Sequence, residues 1–216
     1  MKYSQNNEEP VVIAYFNSRR IIPNILSIGE NTGIHLSNCR KLIENGASAV
    51  LVEPSQKAFA QLHGLYYEEY SNVWCVNVAI SDYDGEGVLF ESGEHLGKGD
   101  VGLLSTLKES ELQRWRGSNN EFTETTTLVW TFETLQKEVV KLGRSDRYQF
   151  INIDIEGCDL DVLKQIDLNE VDCQCLCIEH NSILSVVQEI REYCSFFGLN
   201  KEIGYNAENI ILARNE

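Results

Sequence analysis

The first β-α-β pattern of the chain constrains its fold most strongly. An apolar segment, 25–28, runs into the turn Gly29-Glu30-Asn31-Thr32-Gly33, and a second apolar segment ends at Glu53, 24 residues after Gly29. A Gly-containing turn after one strand and a carboxylate at the end of the next are typical of nucleotide-binding α/β sheets. The pattern predicts that Glu53 accepts the hydroxyls of a ribose and that Gly29 and Gly33 let the backbone approach the ligand closely.

The same turn carries an acid, Glu30, near the start of a helix predicted over 32–45. A helix N-terminus attracts one anion, so a pyrophosphate would be repelled by a carboxylate already placed there. The turn also lacks the Gly-x-Gly-x-x-Gly cradle of dinucleotide sites, which disfavours an NAD-dependent oxidoreductase. The expected ligand is a nucleoside without phosphates, and S-adenosylmethionine is the best candidate.

Strand-like and helix-like segments alternate along most of the chain, which predicts an α/β fold with a mostly parallel sheet and helices on both faces. The predicted strands are 24–29, 47–53, 72–79, 148–154, 173–179, 200–205 and 209–213, and the predicted helices are 32–45, 55–69, 159–166 and 183–197. The last two strands form a C-terminal hairpin, so one edge strand is expected to be antiparallel to the rest. With 216 residues the chain is expected to be a single domain, 1–216.

The alternation breaks over residues 80–133. This region has strand-like segments at 88–90 and 124–132, a glycine-rich loop at 93–102 and a short helical segment at 107–116. It is longer than a connection between two strands needs to be, and such inserts often form the wall or lid of a substrate pocket. The alternative is a hairpin at the sheet edge without a role in the site.

Charge and composition limit the partners. A net charge of −15 disfavours nucleic acid, since the basic residues form only two pairs, Arg19-Arg20 and Arg40-Lys41. No apolar run is long enough to span a membrane, and segment 1–10 does not resemble a secretory signal. These features predict a cytoplasmic protein that binds neither membrane nor nucleic acid.

The cysteines favour a reduced chain. There are seven, an odd number, without the spacing of a disulfide scaffold. Cys173, Cys175 and Cys177 alternate, which predicts one face of a buried strand. Apolar packing of these thiols is favoured over a metal or redox site.

Five motifs together resemble the FkbM-type S-adenosylmethionine-dependent methyltransferases, from about Asn24 to the C-terminus. The motifs are Ser27-Ile28-Gly29-Glu30-Asn31-Thr32-Gly33, Val52-Glu53-Pro54, Asn77-Val78-Ala79-Ile80-Ser81-Asp82-Tyr83-Asp84-Gly85, Ile151-Asn152-Ile153-Asp154-Ile155-Glu156-Gly157 and Ile178-Glu179-His180. The resemblance implies a class I methyltransferase Rossmann-like fold with a seven-stranded sheet. It also implies S-adenosylmethionine as cofactor and methyl transfer, most often to a hydroxyl of a small molecule or sugar.

The chain departs from this family in the cofactor turn. The family usually has an Asp where Ser27 stands and a small residue where Glu30 stands. Glu30 would supply the missing carboxylate, because the α-ammonium of the cofactor needs an anionic acceptor. Ser81 and Asp82 follow the third strand, where the adenine edge would lie, and the alternative for them is a plain turn. The residues expected to bind the cofactor are Ser27, Gly29, Glu30, Asn31, Gly33, Glu53, Ser81, Asp82 and Asp154.

The expected catalytic residues are His180, Asp154 and Glu156. Asp154 and Glu156 end the fourth strand, beside the sulfonium in this architecture, and would face the same way if the strand persists. A hydroxyl acceptor must lose a proton, and His180, at the end of the fifth strand, is the predicted base. The alternatives are a turn with two solvated acids, and capping of the next helix by His180 and Asn181.

Three further alternatives remain open. A divalent cation between Asp154, Glu179 and Asn181 would resemble the magnesium site of catechol-type O-methyltransferases. The favoured prediction is a site without a metal ion. An acidic chain suits N-methylation of a basic substrate, but no Asn-Pro-Pro-Tyr type segment follows the fourth strand. The altered turn at Ser27 and Glu30 also fits a non-catalytic binding module with the same fold. The favoured function is O-methylation of a small molecule or sugar that is neutral or cationic.

Overall fold

The computed structural model describes residues 3–97, 100–116 and 120–215. The strands are β1 (Asn24–Ile28), β2 (Ser48–Val52), β3 (Val73–Val76), β4 (Ala79–Ile80), β5 (Gly85–Ser92), β6 (Phe122–Trp130), β7 (Phe150–Ile153), β8 (Cys175–Glu179), β9 (Lys201–Tyr205) and β10 (Asn209–Ala213). The α-helices are α1 (Glu8–Arg19), α2 (Arg40–Glu44), α3 (Gln56–Tyr66), α4 (Phe132–Lys141), α5 (Asp159–Leu163) and α6 (Leu184–Phe196), and a 3₁₀ helix covers Glu109–Gln113.

Seven strands form the main sheet, in the order β3-β2-β1-β7-β8-β10-β9. The five neighbouring strands β3, β2, β1, β7 and β8 pair in parallel, whereas β10 is antiparallel to both β8 and β9. The predicted mostly parallel seven-stranded α/β sheet with a C-terminal hairpin is confirmed. The prediction that the antiparallel strand lies at the edge is wrong. After α6, the chain forms the edge strand β9 first, and the antiparallel strand β10 then lies between β9 and β8.

Helices cover both faces of the main sheet, as predicted. Alternate residues of β1 point to opposite faces, so Leu26 and Ile28 pack into one core and Ile25 into the other. The first core is closed by α4, α5 and α6 and the second by α1, α2 and α3. Burying apolar side chains on both faces is the main favourable contribution to the stability of such a sheet.

Three helices differ from the sequence prediction. The helix α1 was not predicted, although Val12, Tyr15 and Phe16 have helical spacing and are buried in the second core. The helix α4 was also not predicted. The helix predicted over 32–45 is reduced to Arg40–Glu44. Positive φ angles at Asn31, Gly33 and Leu36, of 53°, 72° and 60°, prevent a continuous helix before it.

All seven cysteines are free thiols, and six of them are buried. Cys175 and Cys177 lie on β8 and face the second core. The prediction that Cys173 shares their face is wrong, because β8 begins only at Cys175 and Cys173 packs into the first core.

Region 80–133 adds a small second sheet, in the order β4-β6-β5. The long strands β5 and β6 pair antiparallel, and β4 pairs with β6 in parallel. Two residues of the predicted glycine-rich loop 93–102, Lys98 and Gly99, lie outside the described residues. Within the described part of the chain, no helix is long and apolar enough to cross a membrane.

Gly29, directly after β1, packs closely against the backbone directly after β7 and gives a test of the fold. Its φ is +86°, and a Cβ there would lie 1.8 Å from the carbonyl oxygen of Asp154. We predict that Gly29→Ala lowers the free energy of unfolding by about 3 kcal/mol or more, measured by denaturant titration.

Gly46→Ala is the matched control, because its φ is +100° but no atom lies within 4 Å of the added Cβ. Only backbone strain is expected there, about 1–2 kcal/mol. Equal losses for the two variants would contradict the close approach at Gly29.

Candidate functional site

The carboxyl ends of the parallel strands open into one cleft. Gly29 after β1, Glu53 after β2, Asp154 after β7 and Glu179 at the end of β8 all line it. The cleft has a volume of about 1260 Å³, counting the space at its open mouth. Parallel strands end at the same edge of a sheet, which is where α/β folds bind ligands.

Glu53 is held in place by the backbone. The N–H groups of Asn31 and Ser55 donate to its two carboxylate oxygens over 2.8 Å and 2.7 Å. Burial raises the pKa of Glu53 to about 8, against the effect of these two hydrogen bonds, and the nearby Glu30 and Glu91 raise it further. Each carboxylate oxygen can accept a second hydrogen bond, so the group can still bind two hydroxyls.

The two glycines of the turn have packing roles that the sequence did not predict. Gly29 lines the cleft, but its missing Cβ makes room for the carbonyl of Asp154 rather than for a ligand. Gly33 is not among the residues that line the cleft: a Cβ there would meet Leu62 of α3 at 2.7 Å. Close packing between chain segments therefore explains both glycines.

A buried polar chain links β1 to β7 beneath the cleft. Asn38 donates to Asn152 over 3.0 Å, and Asn152 donates to the hydroxyl of Ser27 over 3.1 Å. Ser27 itself is fully buried and does not line the cleft. Ser27 is paired with Asn152 of β7, and its hydroxyl lies beneath the residues that line the cleft.

Glu30 does line the cleft, and its side chain is buried. The hydroxyl of Ser37 donates to it over 2.5 Å. Burial raises its pKa, while the hydroxyls of Ser27 and Ser37 oppose that change. The prediction that Glu30 stands at a helix N-terminus is wrong, because α2 begins only at Arg40. A carboxylate in this position still opposes a phosphate, through charge repulsion in a buried site.

Ser81 and Asp82 lie outside the cleft. Directly after β4, the N–H of Ser81 donates to the carbonyl of Trp130 on β6, so the chain has already left the main sheet for the second one. The two residues form the turn into β5, which was the alternative to a cofactor role. The neighbouring segment 78–80 lines the cleft in their place.

Asp154, Glu156 and Glu179 form a carboxylate cluster, with one oxygen of each within 4.8 Å of the others. Burial is the first cause of a raised pKa in all three, and their mutual repulsion adds to it for Asp154 and Glu179. The pKa of Glu156 is raised to about 7. One buried oxygen each of Glu156 and Glu179 has no hydrogen-bond partner among the described residues.

A turn, and not strand periodicity, brings Asp154 and Glu156 together. The strand β7 ends at Ile153, and Glu156 has a φ of +52°. The carboxylate of Asp159 holds this turn by accepting the N–H groups of Ile155 and Gly157. The expectation that the strand persists to Glu156 is therefore wrong, although both acids face the cleft.

Arg114 is the cation beside the cluster. Its Nη1 is 3.7 Å from Oε2 of Glu156, near enough for an ion pair but too far for a hydrogen bond, and its Nη2 donates to Oδ1 of Asn181 over 2.5 Å. Asn181 is thus engaged by Arg114, and Glu156 takes its place beside Asp154 and Glu179. The oxygen ligands that the structure brings together thus include Glu156 where the predicted cation site had Asn181.

His180 is placed away from the cleft. Its ring stacks on Tyr205 with centroids 5.0 Å apart, and its Nδ1 accepts the N–H of Ser182 over 3.0 Å. Burial lowers its pKa. The predicted role as base does not suit this position. Capping by His180 or Asn181 is also wrong, because Ile183 precedes α6 and no side chain caps it.

Several lining residues were missed in the sequence. Asn152 had a visible signal, as a polar residue inside a buried strand. Arg114 and Gln5 had none, because they reach the cleft through tertiary contacts: Arg114 directly follows the 3₁₀ helix, and Gln5 donates to Glu208 over 3.0 Å. Asn209 begins β10 opposite Glu179, a pairing that only the hairpin register reveals.

The buried acids predict an unusual pH dependence of stability. Burial raises the pKa of Glu156 from about 4.5 to about 7, so the folded chain holds a proton that the unfolded chain has lost. The free energy of unfolding should therefore fall as the pH rises from about 5 to 8. We predict that Glu156→Gln reduces this fall by about 2.5 kcal/mol, measured by denaturant titration at both pH values.

The control is Glu68→Gln, which removes an exposed acid. It should leave the pH dependence of the wild type unchanged. A Glu156→Gln protein with the full wild-type fall would show that this carboxyl group ionises normally in the folded state.

Two solved structures resemble the chain only distantly. Both are magnesium protoporphyrin IX methyltransferase (ChlM) from Synechocystis PCC 6803. The form with bound SAH has 10% sequence identity and a TM-score of 0.42, covering 97% of this chain and 84% of that chain. The form with bound SAM has 12% identity and a TM-score of 0.38, covering 97% and 80%. No curated protein has a sequence that matches this chain significantly.

A protein-family model matches most of the chain. The methyltransferase FkbM domain matches residues 27–206, which include the turn after β1, Glu53 and the carboxylate cluster. Its cofactor is S-adenosylmethionine, in agreement with the prediction. The chain belongs to the FkbM methyltransferase family.

Proposed function

We propose that this methyltransferase transfers a methyl group to a hydroxyl of a small molecule or a sugar. The observation that carries the proposal is the presence of two distinct acid sites in one cleft: Glu53 at the end of β2 and the carboxylate cluster after β7 and β8. The first suits a ribose and the second suits an acceptor that must lose a proton.

The cofactor half of the cleft has groups that fit each part of S-adenosylmethionine. Glu53 presents a carboxylate to the ribose hydroxyls. Segment 78–80 supplies an apolar surface for the adenine, next to Glu53 because Asn77 donates to the carbonyl of Glu53 over 2.8 Å. Glu30 provides the anion that the α-ammonium group needs. The buried Oδ1 of Asn31, which has no partner among the described residues, offers a further acceptor.

The acceptor half has a base in Glu156. When bound, S-adenosylmethionine supplies a methyl group that is already activated, so alignment of the acceptor oxygen is the main requirement. The acceptor oxygen gains the methyl carbon and gives its proton to Glu156, while the electron pair of the broken sulfur–carbon bond stays on sulfur. A pKa of about 7 suits a general base at neutral pH.

Region 80–133 forms the wall over this half. The hydroxyl of Thr106 donates to the carbonyl of Glu156 over 2.8 Å, and Leu104, Leu107 and Trp115 line the cleft beside it. An apolar wall here lowers the access of water to the reacting atoms and strengthens the electrostatic interactions in the site.

The cofactor site is tested by calorimetric titration with S-adenosylhomocysteine, with NAD as a second ligand. We predict micromolar binding of S-adenosylhomocysteine and none of NAD. Glu53→Gln should weaken the binding about tenfold or more, because an amide cannot accept both ribose hydroxyls and both backbone N–H groups.

Glu86→Gln, on the exposed surface of β5, is the control with the same change of charge and should bind as the wild type does. A folded wild-type protein that binds no S-adenosylhomocysteine would contradict the proposal and favour the non-catalytic binding module. Unchanged affinity of Glu53→Gln would contradict the assignment of the ribose site.

A further inference from the structure

The cleft is strongly acidic along its whole length. Its described lining has six carboxylates, one arginine and no lysine. The carboxylates are Glu30, Glu53, Asp154, Glu156, Glu179 and Glu208. An acceptor with a phosphate or carboxylate would be repelled by every one of these acids that is ionised, and it would find a single arginine, Arg114, in the described lining.

Three of these acids already have hydrogen-bond donors. Glu53 accepts two backbone N–H groups, and Glu30 accepts the hydroxyl of Ser37. Glu208 accepts the side-chain amides of Gln5 and Asn6 over 3.0 Å and 2.9 Å. Among the described residues, no hydrogen-bond donor reaches the carboxylates of Asp154, Glu156 and Glu179, and the side chain of Arg114, which is 37% exposed, is 3.7 Å from Glu156.

A second acceptor without a partner lies beside the cluster. Asn209 is 95% buried, since its exposed fraction is 5%, and it lines the cleft opposite Glu179 in the β8–β10 pairing. Its amide nitrogen donates to Glu8 over 3.2 Å, which fixes the orientation of the amide because a carboxylate can only accept. Its oxygen therefore remains an acceptor, and it has no hydrogen-bond partner among the described residues.

We propose that the acceptor molecule carries an ammonium group, which the carboxylate cluster of Asp154, Glu156 and Glu179 binds next to the methylated hydroxyl. This inference rests on the proposed methyl transfer and names its substrate class: an amino alcohol or amino sugar. Unpaired buried carboxylate and amide oxygens need a donor with several N–H groups, and an ammonium group has three.

The size of the cluster fits an ammonium nitrogen. Three oxygens within 4.8 Å of one another have a common centre at most about 2.8 Å from each, so one nitrogen can be within charge-assisted hydrogen-bond distance of all three. Magnesium needs about six oxygens at about 2.1 Å, and calcium needs six to eight. The guanidinium of Arg114 also repels a doubly charged ion more than a singly charged one.

Binding of the ammonium group also places the base beside its substrate. A cation in the cluster favours the ionised form of Glu156, the residue that takes the hydroxyl proton. The hydroxyl next to the ammonium group then lies within reach of that carboxylate. Recognition and proton transfer would thus depend on the same cluster.

The test uses the full chain with bound S-adenosylhomocysteine and four probes: trans-2-aminocyclohexanol, D-glucosamine and the N-acetyl derivative of each. Calorimetric titration should give an affinity about tenfold or more higher for at least one free amine than for its N-acetyl derivative. In Glu179→Gln this preference should be lost. Glu202→Gln, which removes one charge from the surface of β9, should retain it.

The thermal midpoint of each variant shows whether it is folded, and the affinity for S-adenosylhomocysteine tests the proposed function separately. Binding of S-adenosylhomocysteine without any preference for the amines would overturn this inference alone. Tight, stoichiometric binding of MgCl₂ or CaCl₂ that Glu179→Gln abolishes would also overturn it, in favour of a metal site. Failure of S-adenosylhomocysteine to bind would instead overturn the proposed function.

Discussion

Burial of carboxylates at one edge of the main sheet is the constraint on which the site depends. Parallel strands end together, so the acids that follow β1, β2, β7 and β8 are forced into one cleft. Each acid loses hydration there, and each needs a donor or a proton in compensation. The folded chain supplies donors for Glu30, Glu53 and Glu208, whereas no donor among the described residues bonds to the carboxylate cluster.

The presence or absence of these donors distinguishes the two proposed halves of the cleft. The acids of the cofactor half are fixed by backbone and hydroxyl donors, so their geometry is set before any ligand binds. Such preorganisation lowers the entropy lost on binding. In the proposed acceptor half, the cluster has raised pKa values and, among the described residues, oxygens without a hydrogen-bond partner, which is the basis for proposing that it binds a positively charged group. The apolar cores on both faces of the sheet must offset the resulting loss of stability.

Sequence reasoning predicted the fold well, because buried β-branched strands and the turn at Gly29 are local signals. It also predicted that Glu53, Glu30 and the acids after β7 and β8 follow strands that end at one edge. It failed where long-range contacts decide the structure. The predicted helix 32–45 is broken by side chains that bond across the turn, such as Ser37 with Glu30.

The errors within the site have the same cause. Ser81 and Asp82 leave the cleft because β4 joins β6 of the second sheet, a pairing between residues far apart in the chain. His180 turns away because Tyr205 of β9 offers a stacking partner. Arg114 enters the cleft from an insert whose sequence has no recognisable pattern. Position after a strand therefore predicts which acids converge, but not which neighbouring side chains face the ligand.

The most direct test of the account is a crystal structure of the protein with S-adenosylhomocysteine. We predict that both ribose hydroxyls lie within about 3.2 Å of the Glu53 carboxylate. We also predict that the sulfur atom points toward the carboxylate cluster of Asp154, Glu156 and Glu179. A ligand bound elsewhere, or one whose sulfur points away from that cluster, would contradict the assignment of the two halves of the cleft.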